Sequence, residues 1–134
     1  MLRPASFKLV SAAALIVLVG FIAVRAQTAP VVKYDKSSEV RVKGVIEEVT
    51  ATADNTIHLT LRNDKGLHDV VVAPEKFLKE MEISFTKGDT IEVLGSEVVV
   101  DGSPVTLARE LTRAGDTMVM RDDSGKAVWV GWLK

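Results

Sequence analysis

The sequence predicts an all-β protein: a closed five-stranded Greek-key barrel with one short helix between the third and fourth strands, an extra C-terminal β-hairpin and an apolar N-terminal leader helix. Three observations predict it. Glu39–Val49 alternates apolar and polar residues around a mid-strand glycine. Four more alternating segments follow, divided by turns rich in Gly, Asn and Asp. Beyond the leader, the one convincing helical stretch is the short PEKFLKEM at 74–81.

The first 26 residues read as an export signal. Arg3 and Lys8 form a positive start, Leu9–Val24 is uncharged and apolar, and Val24-Arg25-Ala26 fits a cleavage site before Gln27. The alternative is an uncleaved anchor, because the apolar run lies near the lower end of the ~17–25 residues that span a bilayer. Cleavage is the favoured reading. Both place the domain in the periplasm or otherwise outside the cytoplasm, secreted or membrane-tethered, with Arg3 and Lys8 inside. Residues 27–38, which include Pro30 and Tyr34, have no apolar periodicity and read as a linker.

Residues 39–112 carry the barrel. In the first strand Val40, Val42, Gly44 and Ile46 share one face, and Arg41, Lys43, Val45 and Glu47 the other. Gly44 permits a bend or bulge, and a long bent strand can pair on both edges. Thr56–Arg62 turns Ile57, Leu59 and Leu61 inward. Asn63-Asp64-Lys65-Gly66 is a hairpin turn with Gly66 suited to the left-handed position, and Leu67–Ala73 returns as the third strand. Pro74 and Glu75 suit a helix start, with Phe77, Leu78 and Met81 on one face. Thr90–Val100, with Gly95 as a second bend, and Val105–Leu111 follow, separated by the Asp101-Gly102 turn. Within 113–134, Thr117–Arg121 and Lys126–Trp132 read as the arms of a further hairpin that covers a barrel end or edge.

Five strands with a helix after the third is the order of the OB-fold. The succession of exported leader, V-R-V-K-G-V-I-E, hairpin, short helix, K-G-D-T-I-E-V-L-G-S and L-A-R-E resembles the small periplasmic OB-fold proteins of bacteria. These are described as a stress-tolerance family and are sometimes labelled nucleic-acid-binding. The resemblance covers roughly Val40 to Thr112 and implies a fold and a compartment; it supplies no catalytic motif.

Composition narrows the function. The chain has Lys+Arg 17 and Asp+Glu 18, and three of its cations lie in the leader, so 14 basic groups face 18 acidic ones thereafter. A mildly acidic domain is a poor general binder of polyanions. With no cysteine, disulfides, thiolate metal sites and c-type haem attachment are excluded. No nucleophile triad, phosphate-cradling loop or zinc spacing is present, and Glu47-Glu48, as adjacent strand residues, point to opposite faces and cannot form a dyad without a bulge, so an enzyme is not expected.

Five residues could line the customary OB ligand face: Arg41, Lys43, His58, Thr60 and Arg62. His58 and His68, on two arms of one hairpin, share the outer face or point to opposite faces depending on the turn, and alone make an incomplete metal set. Met118 and Met120 share a strand face near Trp129, an arrangement that resembles small periplasmic copper chaperones, which are also OB barrels. A packing cluster around a buried Trp129 is preferred over Cu(I) binding. Arg109 has inward parity, so it is turned out by a bulge or paired with a carboxylate such as Glu92 or Glu97. The expectation is an exported, cofactor-free binding module for a protein partner or small polar ligand. The alternatives are Cu(I) handling through Met118 and Met120, and single-stranded nucleic acid.

Overall fold

The computed structural model describes residues 32–131. The leader and Trp132, the end of the expected last hairpin arm, lie outside the described residues. The first strand, β1 (Glu39–Ala51), is long because it serves two partners. Its first half pairs antiparallel with β4 (Thr90–Val100), and its second half with β2 (Thr56–Asn63). Val45 is the pivot, opposite both Arg62 and Thr90.

A bulge between Ile46 and Glu48 adds the curvature, so the bend falls just past Gly44 rather than at it. Gly44 answers a different need. A Cβ there would lie 2.8 Å from the Arg62 carbonyl oxygen, so its missing side chain lets two strands approach.

β3 (Gly66–Pro74) pairs antiparallel with β2 and meets β5 (Ser103–Arg113) in parallel at Val70–Thr106 and Val71–Leu107, which closes the barrel. Helix α1 (Glu75–Glu80) follows Pro74 and buries Phe77 and Leu78 against the barrel interior. The alternation predicted from sequence delivers that interior: Ile46, Leu59, Leu61, Val70, Val72, Ile91, Val93 and Leu111 are almost fully buried. Strand order, closure and helix position are those of the OB-fold.

The C-terminal element is built differently from the hairpin expected. Ala114 and Gly115 both take positive φ, 53° and 87°, the type I′ geometry that matches strand twist. They fold β6 (Asp116–Val119) back onto β5, with Met118 opposite Leu111. The proposed second arm reduces to one bridge, Arg121 to Ala127, followed by turns. Met118 therefore faces β5 across the sheet rather than Trp129, and it is the Met120 carbonyl that accepts from Val128 N–H. β3 and then β6 cover successive lengths of the same β5 edge, which would otherwise stand open.

Part of the expected linker is docked. The Asp35 carboxylate caps a 3-10 turn at Lys36–Ser38 by accepting from Ser37 N–H. Asp35 N–H donates to Ser96 Oγ at 3.0 Å, and Ser38 Oγ lies 2.9 Å from it, so the fully buried Ser96 hydroxyl is satisfied.

Candidate functional site

Because Val42 and Ile46 on β1 and Ile57, Leu59 and Leu61 on β2 point inward, the alternate positions face solvent. Arg41, Lys43, His58, Thr60 and Arg62 all take outward positions but on two lengths of the sheet: Arg41 and Lys43 lie where β1 pairs with β4, opposite Leu94 and Glu92, whereas Arg62, Thr60 and His58 on β2 lie opposite Val45, Glu48 and Thr50. Arg41 and Lys43 are exposed, and among the described residues neither has an ion-pair partner. Two residues apart on one strand, they leave the same side of β1 from backbone positions about 7 Å apart. Arg62 is held, its Nε donating to Glu47 Oε2 at 2.7 Å, and the β1 bulge is what presents Glu47 to it. Thr60 lies opposite Asp69, whose carboxylate is 3.4 Å from His58 Nδ1.

His68 does not join this face. Its register partner is the buried Leu61, and its Nε2 lies 3.0 Å from Asn63 Oδ1. The two-residue turn Asp64-Lys65, with Gly66 at φ 117°, selects the opposite-face arrangement of the two histidines. Asn63 also donates through Nδ2 to the Lys43 carbonyl and accepts from Lys65 N–H, so it fixes the turn beside the basic pair.

A second cluster ties the ends of the described chain together. The Tyr34 hydroxyl donates to Glu39 Oε2, and Arg109 Nε lies 2.9 Å from the same oxygen. Arg109 also reaches Glu110 and Asp123. It is the extra residue of a β5 bulge, since Leu94 opposes Glu110 and Gly95 opposes Ala108. That bulge turns it from the core, and its partners are Glu39, Glu110 and Asp123 rather than Glu92 or Glu97. The Arg121 guanidinium sits 5.5 Å from the Tyr34 ring centre and 5.6 Å from that of Trp129, and donates to the Gly125 carbonyl. Trp129 is half-buried, 5.6 Å from the Phe77 ring on α1.

Electrostatics follow from this packing. Burial first, and then the Glu39 carboxylate, pushes the Tyr34 hydroxyl up to about 12. Glu39 is held below the usual carboxylate range, foremost by the Tyr34 hydroxyl and also by Arg109. Burial works against the Arg109 charge, but Glu39, Tyr34 and Glu110 outweigh it and hold that guanidinium above its ordinary value. Arg121, with no carboxylate partner among the described residues, is pulled down by burial.

Sequence reasoning missed this cluster. The available signal was Asp35 with Ser37 two residues on, an N-cap pattern inside a supposed linker. Met120 is fully buried in the core and Met118 packs half-buried against it, an arrangement suited to packing. The aromatic rings of the described residues are engaged away from the five-residue face: Phe77 with Trp129, Tyr34 and Trp129 with Arg121, and Phe85 with Arg113.

Comparison with solved structures gives partial overlaps. Asparaginyl-tRNA synthetase from Pyrococcus horikoshii, complexed with asparaginyl-adenylate, matches at TM-score 0.48 and 18% identity over 57% of this chain. The present chain spans only 19% of that synthetase chain. The S. pombe Stn1-ten1 complex matches at TM-score 0.48 and 16% identity, over 58% of this chain and 59% of the other. No curated protein matches in sequence. A sequence model of the MamS/MamX magnetosome protein family matches residues 38–118, from the turn before β1 into β6 and so across the whole barrel. The OB barrel described here belongs to the MamS/MamX magnetosome protein family.

Proposed function

We propose that this chain is a non-catalytic binding module of a magnetosome, held on the non-cytoplasmic side of a membrane or released there by its leader, and that the β1–β2 face takes an acidic protein surface. The observation that carries the reading is the exposed pair Arg41 and Lys43, without an ion-pair partner among the described residues, on a sheet side where Arg62 is bound by Glu47 and where Glu92 stands opposite Lys43 and Glu48 and Asp69 stand opposite Thr60. A local positive pair on an acidic domain selects an acidic partner and steers it to one face. The family description supports the magnetosome, and the apolar run Leu9–Val24 after Arg3 and Lys8 supports export. Engagement of the described aromatic rings elsewhere weighs against stacked single-stranded bases as the ligand.

The test is co-purification of the 134-residue chain from its own membranes at two salt concentrations. A specific protein partner lost by about tenfold or more in the double variant Arg41→Glu, Lys43→Glu, with unchanged thermal unfolding, is the expected result. Retention of the partner in that variant, or a salt-sensitive shift of single-stranded oligonucleotides that it abolishes, contradicts the reading.

A further inference from the structure

The far half of β1 has an edge that no described residue uses. β4 leaves β1 at the Val45–Thr90 pair, and the loop before it covers one residue more: Ile46 N–H donates to Asp89 O and Gly88 N–H to Ile46 O, both at 2.8 Å. Beyond that point β1 is paired on the β2 side alone. Thr52 N–H donates to Thr56 O, so the alternation of an antiparallel ladder aims Thr50 and Glu48 at β2 and turns the N–H and C=O of Val49 and Ala51 outward.

This edge faces an open groove of about 620 Å³ with Glu48 on one bank and Thr86 and Lys87 on the other. The groove runs into an apolar hollow of about 180 Å³ between β1 and α1, floored by Val49, Ile57, Leu78, Ile83 and Phe85. An open strand edge beside an apolar hollow has the two parts of strand addition: main-chain bonds give affinity, and a side-chain pocket at alternate positions gives selectivity.

We infer that this groove binds an extended peptide segment of a partner protein as an added strand on Val49–Ala51. One aliphatic side chain of the segment fills the hollow, a basic residue meets Glu48 and an acidic residue meets Lys87. The charges are complementary to what the banks offer: Glu48 and Lys87 are unpaired among the described residues, whereas Glu47 is already bound by Arg62. The edge is separate from the Arg41–Lys43 pair: Val49 and Ala51 lie on the opposite side of the β1 pleat, and Glu48, which stands opposite Thr60, is the residue at which the groove borders the β1–β2 face.

The experiment is selection of a displayed random peptide library on the whole chain, followed by titration of the most enriched synthetic peptide and of the same peptide N-methylated at alternate amides. The inference predicts enriched sequences with alternating apolar residues and both charges, binding lost on N-methylation, and amide shifts centred on Val49 and Ala51. Ala51→Pro removes an outward donor while sparing the β2 ladder, so it is expected to lower affinity at least about tenfold with little change in unfolding temperature. Arg41→Glu is expected to leave peptide affinity unchanged, which separates this groove from the sheet face. No enrichment, shifts centred on Arg41 and Lys43, or binding that appears only when the chain is cut after Gly131 would each overturn it, the last because the chain's own end would then be the occupant.

Discussion

Two glycines illustrate how little room the barrel leaves at its crossings. A Cβ on Gly95 would stand 2.3 Å from the Leu107 carbonyl oxygen and 2.9 Å from Thr106 Cγ2; on Gly44 the nearest atom is at 2.8 Å. The obstructing atoms nearest to both are backbone, which cannot swing aside. Gly44→Val is therefore expected to destabilise the domain by about 1–3 kcal/mol, and Gly95→Ala to cost more than Gly44→Ala. Equal denaturation midpoints for parent and variants would contradict the packing described. Tyr34 offers a spectroscopic counterpart, because it is the single tyrosine in the chain. With the hydroxyl raised from 10.0 to about 12 on folding, its contribution to stability is complete below pH 10 and is lost as pH rises through about 12. Phenolate absorbance should titrate near 12 in the folded protein and lower in Glu39→Gln, since Glu39 helps to raise it. A midpoint near 10 in the parent would mean that Tyr34 is not docked. Glu39 works in the opposite direction: its depressed pKa contributes stability above the usual carboxylate range that is lost as acid protonates it.

At the scale of elements, the tail shows where sequence reasoning reached and where it stopped. Alternation located β1 to β5 and the helix because each has one buried face, a property written in every second residue. The bulges at Glu47 and Arg109 change that count by one residue, and alternation alone does not reveal which strand carries the extra residue. The C-terminal hairpin was misplaced because Asp122–Gly125 looks as strong a turn as Ala114-Gly115, and the partner strand decides between them: β5 has an edge to cover. Met120 is fully buried, so Met120→Ala is expected to cost roughly 2–5 kcal/mol. Trp129 is half-buried, so Trp129→Ala should cost less than the roughly 3–5 kcal/mol of a fully enclosed ring, about 2 kcal/mol. Urea denaturation of both variants checks the order. A Trp129→Ala midpoint equal to that of the parent would show that the tail does not stabilise the barrel.

For the whole molecule, strand parity made the outward positions of the five residues legible in sequence, whereas their spacing across the sheet and the state of each were not. Nothing in the spacing says that Arg62 is neutralised by Glu47 and His58 approached by Asp69 while Arg41 and Lys43 have no ion-pair partner among the described residues. The first pairing arises from β1 lying against β2 across a bulge and the second from β2 lying against β3, both long-range facts. The same holds for the Tyr34–Glu39–Arg109 cluster, which joins residues from the supposed linker to β5. The central claim is that the Arg41–Lys43–Thr60 face meets an acidic protein. Site-specific photo-crosslinking in living cells tests it most directly, with a photoreactive side chain placed at Thr60 and, as a control, at the exposed Val99 on β4. The account predicts one discrete protein adduct from position 60, absent from position 99 and lost when Arg41 and Lys43 are changed to Glu. A nucleic-acid adduct from position 60, or the same protein adduct from both positions, would contradict it.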